Sequence, residues 1–78
     1  MNREKILQYD NVPVDAAAAY LGKTKPFVYM GLRVGRLPFG TAVEMPGGEW
    51  SYHISPGLLI AYKEGTLPVV QMNGGQIS

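Results

Sequence analysis

Residues 14–37 hold two helical patterns, parted by one glycine and closed by another, in the order VDAAAAYL, Gly22, KT, KPFVYMGLRV, Gly35. Val14, Ala17, Ala18 and Leu21 recur at i, i+3, i+4 and i+7, the spacing of a single helix face. Gly22 follows at once and predicts the stop, because many helices end on a residue with positive φ. Thr24 predicts the next N-cap, its hydroxyl accepting from an exposed backbone N–H. Pro26 falls in the first turn, where a missing N–H costs nothing. Val28 and Leu32 form the inner side of this second helix, and Gly35 closes it. Two short helices across so tight a turn are the arrangement that places a second helix in a DNA groove.

The next stretch changes period. TAVEM and WSYHI flank Pro46-Gly47-Gly48-Glu49, which predicts a β-hairpin over residues 41–54. Trp50, Tyr52 and Ile54 alternate with Ser51 and His53, one face apolar and the other wet. Ser55-Pro56 then predicts a helix start, serine as the cap and proline at the first helical position. Leu58, Leu59 and Tyr62 supply its inner side, and Gly65 stops it. The expected fold is therefore α+β, a small winged helix-turn-helix of three short helices and one antiparallel β-hairpin. Met1–Asn11, with the segment EKILQY, reads as a lead-in, either a helical turn or extended. Residues 12–65 are the domain, and residues 66–78 a flexible C-terminal tail in which Leu67–Met72 is a candidate edge strand.

Residues 12–65 resemble the excisionase-type, MerR-like DNA-binding domain of phages and mobile elements. The stretches that carry the resemblance are AAAYLGKTKPFVYMGLRVGRLP, GGEWSYHIS and PGLLIAYKEG, within a region that spans about two-thirds of the chain. Leu21-Gly22, the Thr24 cap, the Val28-Tyr29 pair and the Gly35-Arg36-Leu37-Pro38 exit match the family pattern in order and spacing. The resemblance implies a protein that binds DNA to direct recombination, packaging or transcription, and that is not an enzyme. It also implies contacts with an integrase or neighbouring protomers through the C-terminal tail. One departure stands out: wings that reach an adjacent groove commonly present Arg or Lys, whereas this one presents Met45, Pro46, Gly47, Gly48 and Glu49.

The charge pattern bears on the same question. Seven basic residues face six acidic ones, a net charge of +1, where phosphate-gripping domains usually carry a clear basic excess. Yet no acidic residue lies between Asp15 and Glu44, and that interval holds Lys23, Lys25, Arg33 and Arg36. Lys23, Thr24, Arg33 and Arg36 are candidates for phosphate contacts, the alternative for the arginines being solvated surface charge. Lys25, Phe27 and Met30, with Gly31 and Val34, belong to the outer side of the second helix, where base readout would occur. Phe27 and Met30 are unusual there, because base edges mainly reward Arg, Lys, Asn and Gln, although apolar groups meet thymine methyls. Phe27 is open to a second reading, as a core or partner-facing residue. Tyr29 is either a phosphate contact or a tyrosine buried between helix and hairpin. The acidic wing and the apolar Phe27/Met30 pair also fit a small protein-binding domain, such as a phage inhibitor or recruiter of a host or phage protein. A third reading is the DNA-recognition part of a packaging complex.

Other chemistry finds no foothold in the sequence. There is no cysteine, hence no disulfide or thiolate metal site, and His53 is the only histidine. Phosphate-cradling glycine motifs and the HExxH zinc motif are missing, and the carboxylates show no paired spacing. No cofactor, metal, small-molecule substrate or enzymatic activity is expected. The polar MNREKILQYD start and the lack of a long apolar run make a cytoplasmic protein, with no membrane partner, the expectation. A chain of 78 residues buries only a small core, so the aromatic residues Trp50, Tyr52, Tyr20 and Tyr62 should weigh heavily in its stability.

Overall fold

A computed structural model describes residues 1–66 of the chain. Six elements follow in order: α1 (Arg3–Leu7), α2 (Val14–Leu21), α3 (Lys25–Arg33), β1 (Gly40–Glu44), β2 (Trp50–Ile54) and α4 (Pro56–Glu64). Over the described residues the fold is small α+β, with four helices and a two-stranded antiparallel hairpin. The helix beyond the expected three is α1. Asn2 caps it by accepting from the Lys5 N–H at 2.9 Å, and Ile6 on its inner side is fully buried. Residues 1–11 are thus part of the packed unit. The expected edge strand over Leu67–Met72 lies outside the described residues.

The helix pair forms for the local reasons read from its residues. Gly22 ends α2 in the left-handed region at φ 70°, and its N–H and that of Lys23 return to the carbonyls of Ala19 and Ala18. Thr24 caps α3, its Oγ1 accepting from the Phe27 N–H at 3.3 Å. Val28 and Leu32 point into the core. In the hairpin, Ala42 faces Tyr52 and Glu44 faces Trp50 across the strands. Gly48 N–H closes the tip onto the Met45 carbonyl at 3.0 Å. Ser55 caps α4 through the Leu58 N–H, and its own N–H donates to the Phe39 carbonyl.

Two inner faces differ from expectation. On α2 the buried residues are Ala16, Ala17, Ala18 and Tyr20, while Val14 and Leu21 are half-buried. This helix is covered by α1, α3 and β2, and a helix with several neighbours is not limited to one stripe. On α4 the inward residues are Leu59 and Ile60, with Tyr62 packed beside them, and Leu58 is exposed. Three consecutive apolar residues do not reveal which two turn inward; docking against α1 decides it.

The centre of the core is Phe39, fully buried in the segment between α3 and β1. Its ring meets Tyr62 edge-on with centroids 5.1 Å apart. Tyr62 therefore pairs with Phe39, and Tyr20 instead carries the Lys63 ammonium 4.2 Å above its ring. Ile6, Val12, Val28, Ile54 and Leu59 complete the fully buried set. Residues 11–12 run beside the end of β2. Asn11 accepts from the Ile54 N–H (2.8 Å) and donates to the Tyr52 carbonyl (3.0 Å), and the Val12 N–H reaches the Ile54 carbonyl (3.0 Å).

Candidate nucleic-acid interface

The α2–α3 pair presents the outer side of α3 to solvent. Phe27, Met30 and Val34 stand at i, i+3 and i+7 and are 40%, 49% and 65% exposed. Neither Phe27 nor Met30 belongs to the core, so of the two readings of Phe27 the buried one is excluded. The middle of this face carries no hydrogen-bonding side chain. Lys23 lies along the same face, its Nζ 5.5 Å from the centroid of the Phe27 ring.

Gly31 does not share the outer face. A Cβ at this position would come within 2.5 Å of Leu37 Cδ1, so the glycine lets the Gly35–Pro38 exit fold back onto α3. This close approach delivers Leu37 and Phe39 to the core.

The cations separate into two kinds. Lys25, at the start of α3, and Arg36, just beyond its end, are exposed, and among the described residues neither makes an ion pair. With Lys23 they form a set spread along one helix and its exit, and Thr24 keeps a hydroxyl proton to donate while its oxygen caps the helix. Arg33 is engaged within the molecule. Its Nε donates to the Tyr52 hydroxyl at 2.7 Å, and its guanidinium carbon lies 4.9 Å from the Trp50 ring centroid, 5.2 Å from that of Tyr29 and 5.8 Å from that of Tyr52. Tyr29 is half-buried with its ring 6.3 Å from that of Tyr52, so it sits between helix and hairpin. Residues of α3 and β2 that the sequence places in separate patterns thus form one aromatic cluster around a cation. Part of the signal was present in the chain: Tyr29 and Arg33 are four apart on a helix and so neighbours, and Trp50 and Tyr52 share a strand face. Asn11, which holds the backbone of Tyr52 from behind, had no such signal.

The hairpin tip is exposed throughout, with Glu44 and Glu49 on its two sides and the Met45 N–H donating to the Glu49 carbonyl across it. These carboxylates would be repelled by phosphate. His53 is exposed on the outer face of β2, opposite Thr41. No helix among the described residues is long and apolar enough to cross a membrane. No protein-family model, curated protein or solved structure matches the chain.

Proposed function

We propose that this protein binds double-stranded DNA through α3, as an excisionase-like architectural or regulatory factor of a phage or integrated element. One observation carries the reading: a helix-turn-helix pair projects α3 outward, and every charged side chain between Asp15 and Glu44 is a cation. Lys23, Thr24 and Lys25 surround the α3 N-terminus, where backbone N–H groups and the helix dipole favour phosphate. Arg36 supplies a second anchor at the far end of the helix. Between these anchors Phe27, Met30 and Val34 would meet the floor of the major groove, which favours A·T-rich sequence through thymine methyls. Binding to repeated sites with bending of the duplex would favour one recombination outcome.

The test is titration of a labelled duplex with the full chain at several salt concentrations. Three cations outside the aromatic cluster, Lys23, Lys25 and Arg36, set the expected slope of log K against log salt at about −3. Binding without salt dependence, or no binding, would remove the reading. A second reading is favoured by a specific observation. The exposed stripe of Phe27, Met30 and Val34 suits a protein partner as well as a groove. Retention of a phage or host protein by the chain, lost in the M30A variant without any effect on DNA, would select it.

A further inference from the structure

We infer that Arg33 is a positioning residue, which latches the hairpin to α3 through Trp50 and Tyr52. A guanidinium is planar, stacks on aromatic faces and donates in a fixed fork, so its contacts define an orientation as well as an attraction. Three ring centroids lie between 4.9 and 5.8 Å from the Arg33 guanidinium carbon, one from α3 itself and two from β2. The Nε–H adds a bond of 2.7 Å to the Tyr52 hydroxyl. Stacking fixes the separation of helix and strand, and the hydrogen bond fixes the sliding of one along the other.

The far side of the latch is also held. Asn11 bonds both the Tyr52 carbonyl and the Ile54 N–H, so the β2 backbone that carries the Tyr52 ring is clamped to the loop before α2. A continuous path runs from that loop through β2 to the last turn of α3. The angle between recognition helix and wing decides which part of a duplex the wing can approach. This inference rests on the DNA-binding reading only for its second measurement below.

The experiment uses the full chain and the variants R33K, R33A and Y52F. Trp50 is the only tryptophan, so its emission reports on the latch without any ligand. In the free protein, R33K and R33A shift Trp50 emission by the same amount, Y52F shifts it in the same direction, and the R33K/Y52F double variant adds nothing to R33K. Unchanged emission in R33K overturns the latch. On a duplex, R33K weakens binding by the same factor as R33A, although it keeps the charge, and the salt slope stays that of the unmodified protein. Overturning results are full affinity for R33K together with a slope lowered by about one in R33A, which is how a phosphate contact behaves. If the unmodified chain binds no duplex, the DNA-binding reading fails while the emission measurement still decides the latch. Y52F deletes a single hydroxyl, so it keeps the question open to measurement even if R33A fails to fold.

Discussion

The molecule has two aromatic groupings, and they do different work. Phe39 is fully buried, and the half-buried Tyr62 meets it edge-on against the core. Tyr29, Trp50 and Tyr52 are each half-buried and gather around a guanidinium at the surface. The first grouping gains from removal of apolar area from water, on the order of 25 cal/mol per Å². The second also covers ring area, and adds a cation over its rings, which at exposed sites is worth about 0.5–1 kcal/mol. What it supplies is a defined geometry between α3 and the hairpin. The first grouping therefore weighs more in stability and the second in orientation, and substitutions should separate the two.

The largest expected effect is in the interior. F39A should cost about 3–5 kcal/mol, enough to unfold so small a domain, and thermal melting would show it. A melt close to that of the unmodified chain would break the distinction at its strong end. Next is G40A. A Cβ at Gly40 would collide with the His53 carbonyl and approach Ile54 Cα to 3.1 Å, so backbone and not a flexible side chain would have to shift. The expected loss is about 1–3 kcal/mol, read in denaturant unfolding, with Phe39 displaced from its site next door.

The surface grouping should respond more weakly in stability. Y52F removes the acceptor of the Arg33 Nε–H and should cost about 0.5–1.5 kcal/mol, the net worth of one hydrogen bond. The companion signal is the change in Trp50 emission. A stability loss as large as that of F39A would mean that both groupings serve the core. Smallest of all are K25A, R36A and M30A. These exposed side chains lie outside both groupings, so melting should shift by no more than the equivalent of about 0.5 kcal/mol. If the proposed DNA binding holds, K25A and R36A should each lower the salt slope of duplex binding by about one, and M30A should alter preference between sites. A core-sized loss in M30A would contradict its 49% exposure.

Local signals in the sequence carried most of the fold because each acts over a few residues. Thr24 and Ser55 cap their helices through the N–H three residues on, as their side chains require. Gly22 and Gly65 end helices in the left-handed region, which only a residue without Cβ enters freely. Alternation through Trp50, Tyr52 and Ile54 announced the face that turns inward. In the candidate site, the same local logic placed Met30 outside, because it is two positions from both Val28 and Leu32.

What escaped such reading depends on residues far apart in the chain. Phe39 is one aromatic in a short segment with no period, and its central place follows from the folding back of Leu37 onto Gly31 and the capture of its carbonyl by Ser55. Ile6 becomes core because α1 docks on α2 and α4. Arg33 reads as a free cation until β2 brings Trp50 and Tyr52 to it, and Asn11 is an ordinary loop residue until it pairs with Tyr52 and Ile54 more than 40 positions away. Caps, turns and strand alternation are set by neighbours along the backbone and can be read in one dimension. The partners of a cation, and the identity of the most buried ring, are set by which surfaces meet, and that is a property of the packed chain.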